Sequence, residues 1–234
     1  MMLASLVLSD ARFPGGGHVH SGGLEEAADR GLVTDVASLH AFLRGRLRTA
    51  GRLAACAAAA AADLAAGPAA DLAAASGAGW AELDAALDAR TPSAAQREAS
   101  RSQGRASLRA VRSAWPSAAL DALVAVHRRP HHPLLVGVVV GAAGEPPAAA
   151  ARCVGYLAVS GPASAAVRLL GLDPFAVNTA VVALGNELEA LAAEAAGLAG
   201  GDPADLPAPG APLLDLMAES HVHHHRERVR LFAS

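Results

Sequence analysis

Apolar side chains recur along this chain at helical rather than strand spacing. Leu39, Leu43, Leu47 and Ala50 fall three or four residues apart, and Arg44, Arg46 and Arg48 fall largely on other faces. Thr34 or Asp35 is placed to cap that helix, which is expected to run to Leu64 and to stop near Gly67-Pro68. Val177, Val181, Leu184, Leu188, Leu191 and Ala195 repeat the pattern after Asp173-Pro174, a capping acid followed by proline at the first helical position. One helix is therefore expected from there to about Leu198. Leu134 to Val140 holds four valines but has helical flanks and no visible partner strand, so a buried helical segment is the better reading. Shorter pieces are expected before Asp10, over Leu24 to Arg30, over Trp80 to Asp88, and from Trp115-Pro116 onward. A helix starting at Pro146-Pro147 should be interrupted or kinked by Gly161-Pro162. The whole reads as one all-α domain over residues 1–234, with about eight to ten helices. Within it, 1–23 is an N-terminal arm and glycine-rich loop, 68–79 a low-complexity connector, 200–212 a proline-rich loop, and 213–234 a C-terminal helix and tail.

Composition narrows what such a domain does. Hydrophobic residues make up 53% and aromatics only 3%, so the core must be built from leucine, valine and alanine. Alanine buries little area, which favours close helix packing and support from a partner. All 19 basic residues are arginine, excluding both a Schiff-base lysine and the phosphate-binding lysine of a P-loop. A formal charge of -3 without a long basic stripe argues against nucleic acid. Arg97, Arg101, Arg105, Arg109 and Arg112 share a face of one helix, either as a solvated stripe or as a dock for an acidic partner. Gly104 beside them is either a close-packing point or a break. Cys56 and Cys153 have no CxxC spacing and read as buried thiols of a reducing compartment. Without a basic leader or an 18-residue apolar run, neither secretion nor a membrane span is expected, and the cytoplasm is the expected location.

Candidate chemistry is sparse. The segment from Phe13 to Glu26 concentrates proline, glycine, histidine and paired acid, and three successive glycines at 15–17 are costly to order. A structured loop at a contact surface explains that cost better than a flexible arm. His18 and His20 alternate within it and are weak metal candidates. His221, His224 and His225 fall at helical neighbour spacing and are weak candidates for nickel, zinc or copper, though neither HExxH nor a completing acid or cysteine is present. His127, His131 and His132, separated by Pro130, read as turn residues. There is no GxSxG, GxGxxG or P-loop pattern, so an interaction protein is favoured over an enzyme and no cofactor is expected. The alternative is a metal-dependent hydrolase using the C-terminal histidines.

The opening block, Phe13-Pro14-Gly15-Gly16-Gly17-His18-Val19-His20-Ser21-Gly22-Gly23-Leu24-Glu25, resembles the Leu-Pro-x-Gly-x-x-x-x-Ser-x-Gly-Leu-Glu motif of the urease accessory protein UreF family. Gly31-Leu32-Val33-Thr34, Ser102-Gln103-Gly104-Arg105, Ser164 to Leu169, and the closing Arg230-Leu231-Phe232-Ala233-Ser234 follow in family order. The arginine- and alanine-rich habit is similar to an actinobacterial version. The resemblance implies an all-helical, homodimeric scaffold without catalysis. With UreD (UreH in some organisms) it would recruit the GTPase UreG and support nickel insertion into apo-urease. It further implies partner-binding roles for Pro14, Gly16, Ser21, Gly23 and Glu25 near the GTPase-facing surface, and for Arg168, where the family usually has lysine. Arg230, Leu231 and Phe232 match the segment that orders against UreD. His18 and His20 depart from the family's usual Phe and Tyr, giving a more polar loop.

Overall fold

The computed structural model describes residues 3–17, 20–66 and 77–224, and among them all regular structure is helical. In chain order the helices are α1 (Leu3–Ser9), α2 (Leu24–Asp29), α3 (Val36–Arg46), α4 (Arg52–Ala66), α5 (Ala78–Ala89) and α6 (Ala94–Ala114). They continue with α7 (Ala118–Val126), α8 (His132–Ala142), α9 (Pro147–Leu170), α10 (Pro174–Val182), α11 (Gly185–Leu198) and α12 (Pro212–His224). A π turn over Leu47–Gly51 joins α3 to α4, making one rod of the two. The all-α, single-domain expectation holds.

α4 forms the centre because alanine gives it no bulky face. Ala55 and Ala57 to Ala59 are fully buried, and α8, α9, α11 and α5 pack around them. The crossing with α8 is closest. A Cβ on Gly137 would meet the Ala58 carbonyl oxygen at 2.3 Å, and one on Gly141 would meet that of Ala62 at 2.1 Å. Two glycines one turn apart thus lie against two carbonyls one turn apart. Leu134 to Val140 is helical and buried throughout, as its flanks implied. Gly104 packs in the same way, with its missing Cβ 2.0 Å from the Pro130 carbonyl oxygen, so it is a contact point and not a break.

Gly161-Pro162 does not interrupt its helix. Pro162 removes the N–H that the Ala158 carbonyl needs, yet α9 runs uninterrupted to Leu170. Arg46 supplies the missing donor, its Nε lying 3.0 Å from that carbonyl. α9 is also the one described helix long and apolar enough to span a bilayer, but it packs against α3, α4, α8 and α11 as a core helix. The expected single helix to Leu198 breaks instead after Val182. Gly185 opens α11 there, and buried Leu184 turns into the core.

The five-arginine face is likewise divided. Arg105, Arg109 and Arg112 are exposed, whereas buried Arg101 turns inward to Asp84 (2.9 Å) and Asp88 (2.7 Å) on α5. His131 joins this cluster, with Nε2 2.8 Å from Asp88 and Nδ1 3.0 Å from Ser100. It is therefore a buried tie in the connector at the α8 N-terminus, whereas His132 already belongs to the helix, which corrects its reading as a turn residue. α11 is held at the surface by Arg44 and Arg48 on Glu187 (2.6 and 2.8 Å) and by Arg152 on Glu189 (2.6 Å). Cys56 and Cys153 are buried and free. Of the connector, residues 67–76 lie outside the described part, and Ala78 and Gly79 are already helical.

Two outcomes follow from these contacts. Gly141→Ala should lower stability by about 1–3 kcal/mol, since contact with backbone outweighs the roughly 1 kcal/mol of helix propensity gained; a urea-midpoint series checks it. Burial and nearby His20 pull the His132 imidazole from 6.5 down to about 4. The unfolded chain therefore binds more protons between those values, and this contribution, complete above pH 6.5, is lost as pH falls toward 4. Chemical denaturation across that range should show a shallower acid loss for His132→Asn than for the parent chain.

Candidate functional site

The glycine loop is a packed element whose glycines are set by α6. A Cβ on Gly15 would stand 2.6 Å from the Ser107 hydroxyl, and that hydroxyl donates to the Gly15 carbonyl at 3.4 Å. Phe13 tilts against Trp115 with ring centroids 6.4 Å apart. Gly22 and Gly23 hold φ of 63° and 89°, turning the chain into α2. Ser21 is fully buried and its Oγ accepts the Glu25 N–H at 3.4 Å.

Arg46 fastens this loop to the core. Besides its bond to Ala158, its Nη1 donates to the Gly22 carbonyl at 2.7 Å. Gly22 must lack a side chain, because a Cβ would lie 2.8 Å from the Arg46 Cζ. Burial draws the guanidinium down to about 10, so it stays a cation at neutral pH. A cavity of about 230 Å3 opens beside it, walled by the loop, the π turn, α6, α8, α9 and α12.

The α2 acids close another side. Glu25, Glu26 and His221 of α12 are all buried, with His221 Nε2 3.9 Å from Glu25 and Nδ1 4.0 Å from Glu26. Glu26 also accepts from Arg30 at 2.7 Å. The imidazole thus sits between two carboxylates where α12 packs on α2. His221, which the histidine spacing marked as a weak metal candidate, is buried and faces inward.

The cavity therefore brings together four of the residues marked in the sequence, His20, Ser21, Gly23 and His221. Glu25 lies just behind its wall. Pro14 is exposed, Gly16 rests against Ala106 of α6, and Arg168 is exposed on the last turn of α9; none of these three lines the cavity. His18, His225, Arg230, Leu231 and Phe232 lie outside the described residues, as does the side chain of His224. No group of three or more metal-ligating side chains is assembled among the described residues. Sequence reasoning missed Arg46. The signal was Pro162, whose place inside a helix leaves a carbonyl that something must satisfy.

The UreF family model matches residues 33–185, leaving the glycine loop outside the matched stretch. Full-length relatives include it. The urease accessory protein UreF of Mycolicibacterium vanbaalenii is 46% identical over 229 residues, 98% of this chain and 97% of the relative. That of Mycobacterium marinum is 46% identical over 231 residues, covering 98% and 97%. That of Mycobacterium tuberculosis H37Ra is 42% identical with the same coverage. Likeness of this extent, carried by an all-helical fold, favours the accessory-protein reading over the hydrolase alternative, since the relatives are urease accessory proteins. This chain belongs to the UreF family of urease accessory proteins.

Proposed function

We propose that the chain is a non-catalytic scaffold of urease maturation. With a UreD (UreH) accessory protein, it recruits the UreG GTPase and supports GTP-dependent nickel insertion into apo-urease in the cytoplasm. One observation beyond family membership carries this reading: large apolar side chains stand exposed on three separate helices. They are Leu3 and Leu6 on α1, Phe175 and Val182 on α10, and Leu213 and Leu216 on α12. Each pair lies at helical spacing, so each marks one outward face. Phe175 is 82% exposed, which a monomer gains nothing from. Several such faces suit a protein with more than one partner, including a second copy of itself. In this reading the histidines of the loop and tail touch nickel only transiently.

The partner-binding roles of Pro14, Gly16, Ser21, Gly23 and Glu25 take a particular form here. Pro14 offers an exposed contact, whereas buried Ser21 and Glu25 hold the loop and α2 in place for the GTPase. Arg168 is proposed to contact a partner protein, and the segment Arg230-Leu231-Phe232 to meet UreD.

Co-purification of the untagged chain with its UreD and UreG candidates, followed by mass determination, tests the scaffold. A complex of all three is expected; a lone chain that binds neither overturns the reading. Phe175→Asp should leave the unfolding midpoint within about 0.5 kcal/mol of the parent. It should weaken one of the protein contacts roughly thirty-fold, as loss of an aromatic anchor does. Glu25→Ala should reduce GTPase retention at matched salt, and retention equal to the parent would remove Glu25 from recruitment.

A further inference from the structure

We propose that the cavity beside the glycine loop binds a small free oxyanion, of the carboxylate or phosphate class, on the guanidinium of Arg46. Ten arginines among the described residues lie within 4.0 Å of a carboxylate. Arg46 does not. Its Nε and Nη1 are directed at the neutral carbonyls of Ala158 and Gly22, which satisfy hydrogen bonds without cancelling charge. Nη2 makes neither of these bonds and belongs to a residue that lines the cavity. A partly buried cation without a counter-charge carries a desolvation cost, and an anion beside it recovers part of that cost. A planar guanidinium fixed at two of its nitrogens is already oriented for a planar or tetrahedral oxyanion.

The surrounding wall suits the same ligand. Gln103 contributes an amide group, and His132, held neutral at pH 7, can donate a hydrogen bond without adding charge. Arg90, the other arginine on the wall, also bonds only to carbonyls, those of Ala86, Ala204 and Leu206. The two wall acids are engaged elsewhere, Glu26 with Arg30 and Asp215 with Gln96 at 2.9 Å. At about 230 Å3 the space is below the usual range for drug-sized ligands, so it favours a small ion over a nucleotide.

The test uses the untagged full-length chain alone, so its outcome is independent of any UreD or UreG partner. Acetate, bicarbonate and inorganic phosphate are titrated separately at constant ionic strength against a chloride reference, with calorimetry and thermal unfolding as readouts. Saturable binding of at least one oxyanion is expected. Arg46→Gln should weaken it about ten-fold or more, the scale of one charge-assisted hydrogen bond. Because that change also loosens the loop, Ala99→Leu provides a second arm, reducing the cavity from the α6 wall while leaving the guanidinium in place; it too should weaken binding. A response equal to chloride, or one unchanged in both variants, overturns the site. Binding only of a peptide-borne carboxylate, with none of the free ions, overturns the assignment to a free ligand.

Discussion

The carbonyl of Ala158 is the constraint around which the site is arranged. Pro162 leaves it without its helical partner in the middle of the longest helix, where an unmet acceptor is expensive. Arg46 meets that need from the end of α3, just before the π turn, and its second bond fixes Gly22. Gly51, within the π turn, lies beside the same node: a Cβ there would meet the Arg46 carbonyl oxygen at 3.1 Å and rest against the Ala158 Cβ at 3.4 Å. A backbone defect in α9, a helical irregularity between α3 and α4, and the positive φ of Gly22 are parts of one arrangement. None of the three is intelligible alone.

Around that node, small residues replace large ones as the organising element. An aromatic-poor chain cannot hold helices apart with bulky layers, so it brings backbones together. Gly104, Gly137 and Gly141 each leave space that a carbonyl oxygen occupies. Such contacts gain dispersion energy through density and tolerate little added volume. The charged ties then work at the edges of this core, with Arg101 and His131 joining α5, α6 and α8 through Asp84 and Asp88. Glu145 performs a similar service for α1, accepting the Ala4 N–H at 2.7 Å and the Ser5 N–H at 3.3 Å from its buried position.

Much of the fold was legible because periodicity and capping chemistry are local. Asp35 and Asp173 cap the helices their positions suggested, and the valine run from 136 to 140 became a buried helix because its neighbours left no sheet for it to join. The site was less legible, because its determining contacts span long stretches of sequence. Arg46 looked like one more polar residue of an amphipathic helix until Ala158 stood opposite it. His221 looked like a surface ligand until the acids of α2 came within 4.0 Å. The arginine face of α6 was read correctly in spacing but not in destination, since only tertiary packing sets Arg101 against α5.

The two thiols carry a consequence for metal traffic. Burial pushes both Cys56 and Cys153 up to about 11, so at neutral pH both are held as thiols. Thiolate is the form that captures soft and borderline cations and the form that oxidants attack. The chain thus keeps its strongest potential metal traps protonated and out of reach. On the nickel route proposed for it, a scaffold with this property can stand beside the cargo without sequestering it.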